Sequence, residues 1–193
     1  MIGDDTMTQN HILKVGDVVF RSYNRYKEGA FKDIFSFINF MISKFTASRM
    51  THVGIIVDIH NDNYIIAQSN EDGFDFDPTG VASFNKKVRM GSWRVLRIPR
   101  LKTNNIKQMA EGLIGTPYGF FDIFKFVVWN ITGKKLFKAS EKRMICSESI
   151  ARILYSCGID VRGENKNFKF DYVSPAKVYD ELQMKHKAKL VLI

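Results

Sequence analysis

The chain has 193 residues, of which 45% are hydrophobic and 25% charged, with a formal net charge of +9. This composition predicts a single domain over residues 1–193 and excludes collagen-like, low-complexity and disulfide-stapled chains. No apolar run is long enough for a transmembrane helix or a signal peptide, so the default expectation is a cytoplasmic protein. Residues 1–11 are expected to form a flexible N-terminal extension.

The first half of the chain predicts one short strand, one apolar helix and a β-hairpin. A Gly-Asp turn leads into a strand within 12–23, and phenylalanine and isoleucine recur at helical spacing over 30–45. The hairpin consists of a strand over 52–59, a turn at 60–62 and a return strand over 63–68.

The second half predicts several helices around one further strand. The expected elements are a turn at 77–80, a strand over 93–98, a helix over 103–114 capped by Thr103, a loop at 115–119, an apolar helix over 120–129, a basic loop over 130–142, a helix over 144–158, a helix capped by Ser174, and a last strand over 189–193. Antiparallel strands in the middle and helices towards both ends indicate an α+β fold.

The positive charge is spread along the chain rather than gathered in one motif. A diffuse basic surface suits an anionic partner such as a membrane surface or a cell-wall polymer, and it equally suits ordinary solvated charge. The absence of a helix-turn-helix, a zinc finger or an aromatic RNA-binding motif argues against nucleic-acid binding. The sequence does not indicate an oligomeric state.

The two cysteines, Cys146 and Cys157, lie on one amphipathic helix. Eleven helical residues span about 16 Å, which excludes a disulfide between them. The four histidines are scattered, so no metal site is expected. Cys157 precedes a glycine that ends the helix, and we interpret Cys157 as a core residue. Cys146 lies in the first turn, where backbone N–H groups favour a thiolate. Cys146 is therefore the candidate nucleophile.

A cysteine nucleophile needs a base, and His52 is the best candidate. It begins a strand, and Gly54 beside it leaves space on the same face. His60 lies in the hairpin turn and is expected to be exposed.

The group that orients the imidazole is expected on the neighbouring strand. With the hairpin turn at 60–62, the residue numbers of two paired positions add up to about 122. His52 therefore faces roughly residue 70, and Gln68 is its diagonal neighbour. We select Gln68 as the third residue, with Asn70 and Glu71 as alternatives.

Five segments, in order, carry a family resemblance: LKVGDVVF, THVGIIV, GTPYGFFDIF, MICSESIARIL and FDYVSPAKVYDEL. Together they span about residues 12–182. The order of histidine strand, polar strand and cysteine helix resembles the circularly permuted papain-like amidases and peptidases of the YaeF/YiiX-like group, within the NlpC-type superfamily. The resemblance implies a permuted papain-like α+β fold, with a central antiparallel sheet or small barrel and helices packed around it.

The same resemblance implies roles for individual residues. Cys146 would be the nucleophile and His52 the base. The group commonly carries glutamate on the strand after the histidine, whereas this chain has Gln68 in that neighbourhood. Tyr118 matches a tyrosine that lines the cleft, and Ser147, next to the nucleophile, is also expected to contact the substrate.

The expected function is hydrolysis of an amide bond in a peptide, amino-acid amide or cell-wall-type substrate, without a cofactor. One alternative is a lipid-directed acyltransferase or phospholipase of the lecithin–retinol acyltransferase kind, acting at an anionic membrane. The apolar stretches at 31–45 and 120–129 and the net charge motivate that alternative. A non-catalytic binding module with the same fold is the third hypothesis.

Overall fold

The computed structural model describes part of the chain, namely residues 12–22, 40, 43–44, 48–119, 143–163, 170 and 173–193. Several predicted segments lie outside these residues: the N-terminal extension, most of the helix over 30–45, the helix over 120–129 and the loop over 130–142. None of the helices in the described part is long and apolar enough to span a lipid bilayer.

Six strands form one open antiparallel sheet in the order β4-β3-β2-β1-β5-β6. The predicted α+β class and central antiparallel sheet are confirmed, and the sheet is not a closed barrel. The strands are β1 Val18–Ser22, β2 Met50–His60, β3 Asn63–Asn70, β4 Gly73–Gly80, β5 Trp93–Arg97 and β6 Lys189–Leu190. The described helices are α1 Val81–Arg89, α2 Ile106–Glu111, α3 Cys146–Ser156 and α4 Pro175–Met184.

Each face of the sheet carries its own apolar cluster. On the α3 face, residues such as Val53, Ile55 and Leu96 pack in a cluster with residues of α2, α3 and α4. On the opposite α1 face, Ile56 and Ile66 pack with Phe84 of α1. The fold therefore has three layers, with helices on both sides of the sheet.

The β2–β3 hairpin has the predicted register from Gly54 to Ile56, at the end that carries the site. The turn residues Asn61 and Asp62 have φ values of 46° and 57°, a conformation that asparagine and aspartate tolerate better than most residues. Gly54 pairs with Gln68, so the paired positions sum to 122 as predicted.

A register shift between Ile56 and Asp58 changes the pairing nearer the turn. Regular strand alternation would put Ile59 on the same face as Val57, but Ile59 packs on the α1 face. The irregularity explains the difference, because one extra residue in a strand reverses the alternation beyond it.

The predicted turn at 77–80 is wrong, since these residues continue β4 and pair with β3. Pro78 is accommodated because β4 is an edge strand, where one side of the backbone needs no partner strand.

The helix predicted over 103–114 is shorter than expected. Its helical residues are Ile106–Glu111, and Asn105 rather than Thr103 is the N-cap. The last helix begins as predicted, because the Ser174 side chain accepts a hydrogen bond from Lys177 N at 3.1 Å. The last strand covers only Lys189–Leu190.

We predict that Gly54→Ala lowers the free energy of unfolding by about 1–3 kcal/mol, the usual cost of overpacking a core. A Cβ at this position would lie 2.8 Å from Ile66 Cγ2 and 3.3 Å from Gln68 Cβ. Urea denaturation measures the change. Gly112→Ala is the matched control, because its Cβ would meet only backbone oxygens at 3.6 Å or more. Equal losses in both variants would contradict the packing argument.

Candidate functional site

Strands β2 and β3 separate beyond the Gly54–Gln68 pair, and the candidate site lies at this separation. The β2–β3 pairing ends there, although β2 begins earlier, at Met50, and β3 continues to Asn70. β3 remains paired with β4 as far as Asn70. The β2–β3 ladder of the described sheet is therefore open at this end, between residues 50–53 of β2 and 69–70 of β3, and we call this opening the gap.

The first turn of α3 packs against both sides of this gap. On the β3 side, Ser149 Oγ lies 3.0 Å from Ser69 Oγ, and both side chains are buried. On the β2 side, the backbone N–H of Val53 faces the sulfur of Cys146. These contacts place the start of the cysteine helix where the strands diverge.

Cys146 is the first residue of α3, and its side chain is almost completely buried, with 2% of its surface exposed. Burial raises the pKa of the thiol from 9.0 to about 11. The N–H groups of Val53, Ser147 and Cys146 itself lower the pKa, but by less than burial raises it. The N–H groups at the helix start therefore favour the thiolate as expected, but burial outweighs them in this structure.

His52 takes part in a hydrogen-bond chain that crosses three strands. His52 Nε2 on β2 lies 2.8 Å from Gln68 Oε1 on β3, and Gln68 Nε2 donates to Asp77 Oδ2 on β4 at 2.9 Å. The imidazole also meets the ring of Trp93 edge to face, with 6.2 Å between centroids. Gln68 thus lies where the sequence predicted it, next to the imidazole.

The imidazole of His52 is held in its neutral form. Burial lowers its pKa below the usual 6.5, and the positive charge of Arg21, the cross-strand partner on β1, lowers it further. The hydrogen bond to Gln68 and the negative charge of Asp77 raise the pKa without offsetting the burial. A neutral imidazole at pH 7 has a free lone pair and can accept a proton.

His52 and Cys146 approach the gap from different faces of β2. The alternation of the strand puts His52 on the α1 face with Ile56, whereas Cys146 packs with Val53 on the α3 face. Among the described residues, no hydrogen bond joins the thiol to the imidazole. The sulfur lies against the N–H of Val53, one residue along the chain from His52.

The two alternatives to Gln68 lie elsewhere. Asn70 Oδ1 accepts from Asp72 N at 3.0 Å within the β3–β4 turn, and Glu71 is exposed in the same turn. The structure therefore brings Gln68 to His52, and its catalytic role remains a prediction.

Tyr118 is buried close to Cys146. Burial raises the pKa of its phenol well above 10, and the neighbouring Cys146 raises it further. An isolated bridge pairs Tyr118 with Met144, just before α3. This position is compatible with the predicted cleft-lining role.

The substrate contact expected of Ser147 stays a prediction, and the structure places its side chain away from solvent. The hydroxyl is fully buried and donates to Val173 O at 2.6 Å, which ties α3 to the segment before α4. The remaining contribution of Ser147 to the site is its backbone N–H, which faces the sulfur of Cys146.

Sequence reasoning missed Asp77, because Asp77-Pro78 was interpreted as a turn. The signal that could have revealed it is the alternation of Phe74, Asp75, Phe76 and Asp77, which is the pattern of a half-buried strand. In the described part of the chain, no group of three or more His, Cys, Asp or Glu side chains could hold a metal ion.

Comparisons with known proteins bear on the fold of the chain. No protein-family model and no curated protein matches the sequence. A solved structure, metalloprotein YiiX from Escherichia coli O157:H7 (DUF1105), aligns with 93% of this chain and 88% of its own. The TM-score is 0.51 and the sequence identity 18%. The chain therefore has a YiiX-like fold.

We predict that alkylation of Cys146 accelerates with pH, by about tenfold for each unit between about pH 6 and 9, because the reactive thiolate is scarce below a pKa of about 11. The measurement uses iodoacetamide and intact mass on the Cys157→Ala variant, in which Cys146 is the single thiol. A free cysteine peptide serves as the control. A rate for Cys146 that is already constant near pH 7 would indicate a preformed thiolate and contradict the burial argument.

Proposed function

We propose that this chain is a cysteine hydrolase that cleaves an amide bond, with Cys146 as nucleophile and His52 as general base. We further propose that its fold is a permuted papain-like one of the NlpC type. The observation that carries the proposal is the meeting of two features at one gap in the sheet. The thiol at the start of α3 and the oriented imidazole on β2 both border the separation of β2 from β3.

The donor and acceptor pattern supports a general-base role for His52. Since Nε2 is engaged with Gln68, Nδ1 is the nitrogen left for a proton from the thiol. For this transfer the thiol has to turn from the Val53 N–H towards Nδ1 through the gap. Both groups are neutral before the reaction, so the mechanism begins with proton transfer rather than with a thiolate–imidazolium pair.

The proposed reaction proceeds in two stages. Cys146 Sγ adds to the amide carbon while Nδ1 of His52 takes the thiol proton, and the imidazolium then gives that proton to the leaving amine. A thioester remains, and a water molecule activated by His52 hydrolyses it to a carboxylic acid and the free thiol. The backbone N–H of Cys146 is the proposed donor to the oxyanion in both stages.

The substrate class is proposed from the family resemblance as a peptide, an amino-acid amide or a cell-wall-type amide. The related YiiX structure is described as that of a metalloprotein. The described residues of this chain include no group of three or more His, Cys, Asp or Glu side chains that could hold a metal ion, and the proposal assigns none to the reaction.

We predict that a peptidyl chloromethyl ketone forms one covalent adduct, on Cys146, detected by intact mass and peptide mapping. His52→Ala should slow adduct formation by the chloromethyl ketone about 10²–10⁴-fold, the usual loss with a general base. Cys146→Ala should abolish the adduct. His60→Ala is the matched control, because His60 is exposed at the hairpin turn, and it should behave as the unchanged protein.

Three results would speak against this function: adducts on Cys157, equal effects of His52→Ala and His60→Ala, or no adduct with any peptidyl probe. A preference for long-chain acyl probes over peptidyl probes, with the same dependence on Cys146 and His52, would reassign the site to lipid chemistry.

A further inference from the structure

The hydrogen bonds of the His52–Gln68–Asp77 chain have a definite direction. An ionised carboxylate only accepts hydrogen bonds, so Asp77 requires the amide nitrogen of Gln68 as its donor. The carbonyl oxygen of Gln68 must then face His52, where it can only accept. His52 Nε2 therefore carries the proton, and the lone pair belongs to Nδ1.

We propose that Asp77 is a positioning residue that acts through Gln68 to fix the Nε2–H tautomer of His52. The inference rests on the proposed function in one respect, namely that the Nδ1 lone pair serves as the base towards Cys146. Without Asp77, the amide of Gln68 could rotate and present its NH₂ group to the imidazole, which would favour the opposite tautomer.

The register of the sheet explains how the carboxylate of an edge strand reaches this role. Gly54 pairs with Gln68 and Ile66 pairs with Asp77, so His52, Gln68 and Asp77 are successive diagonal neighbours on the α1 face. Within the described part of the chain, the Asp77 carboxylate has no ion pair, and its hydrogen-bond donor is Gln68. Asp75, the direct partner of Gln68, is exposed, and its hydrogen-bond donor among the residues that the structure describes is the neighbouring Phe76 N.

Because the hydrogen bonds of the His52–Gln68–Asp77 chain have one direction, variants that exchange the amide and the carboxylate test the proposed role of Asp77. Gln68→Glu alone sets two carboxylates against each other at hydrogen-bond distance, so one of them must take up a proton. Asp77→Asn alone removes the group that forces Gln68 into one orientation. In the double variant Gln68→Glu/Asp77→Asn, the carboxylate at position 68 accepts from His52, and the amide at position 77 donates to it. All three hydrogen-bonding groups are then satisfied again.

The direct test is ¹⁵N NMR of the His52 ring at about pH 7.5, where the lowered pKa keeps the imidazole neutral. The unchanged protein should show the Nε2–H tautomer. Asp77→Asn and Asp77→Leu should show a mixture with Nδ1–H, and the double exchange should restore Nε2–H. Asp75→Asn, which removes the same charge two residues away, is the control and should leave the tautomer unchanged.

The rate of adduct formation at Cys146 gives a second reading. Each single variant, Gln68→Glu and Asp77→Asn, should slow it at least about tenfold, a factor at the lower end for losing a hydrogen bond to a charged group. The double exchange should recover most of the rate. Because the double exchange would also restore a purely structural hydrogen bond, the ring tautomer measured by NMR decides between the two roles.

The NMR measurement and the adduct rate together distinguish a wrong positioning role of Asp77 from a wrong proposed function. A tautomer that is unchanged in Asp77→Asn and Asp77→Leu overturns the positioning role, whatever the adduct rates are. A tautomer that shifts as expected, in a protein whose Cys146 forms no adducts, supports the positioning role and removes the proposed hydrolase function instead.

Discussion

The separation of β2 from β3 beyond the Gly54–Gln68 pair is the constraint on which the site depends. Backbone and side-chain polar groups at such a gap need partners, since unpaired buried groups are costly. The first turn of α3 supplies them, with the Cys146 sulfur against the Val53 N–H and Ser149 against Ser69. The gap thereby brings a buried thiol to the strand that carries His52.

Burial decides the charge state of both candidate catalytic groups. The rise of the Cys146 pKa from 9.0 to about 11 corresponds to roughly 3 kcal/mol. A helix N-terminus typically contributes about 0.3–1 kcal/mol and at most about 2, so desolvation wins. The same effect lowers the pKa of His52. The site therefore holds a neutral thiol and a neutral imidazole, and the orientation of the imidazole becomes more important than its charge.

The features that follow from local chemistry could be predicted from the sequence. The Asn61-Asp62 turn places the hairpin, and the predicted pairing holds from Gly54 to Ile56, which brings Gln68 to His52. Nearer the turn the register differs by one residue because of the irregularity between Ile56 and Asp58, which no local pattern indicated. Features that depend on tertiary position could not be predicted in this way. The edge position of β4 is what allows Pro78 within a strand, so Asp77 was hidden in an apparent turn.

Burial at the start of α3 is likewise a property of the assembled layers. It reversed the expected direction of the Cys146 pKa and turned the Ser147 hydroxyl towards Val173. The central claim of this account is that Cys146 and His52 act as a pair across the gap. A crystal structure of the protein with a peptidyl aldehyde bound to Cys146 tests it most directly. The account predicts that His52 Nδ1 lies within hydrogen-bond reach of the sulfur or the new oxygen, while Nε2 still contacts Gln68. A bound Cys146 whose sulfur and new oxygen both stay out of hydrogen-bond reach of His52 would contradict it.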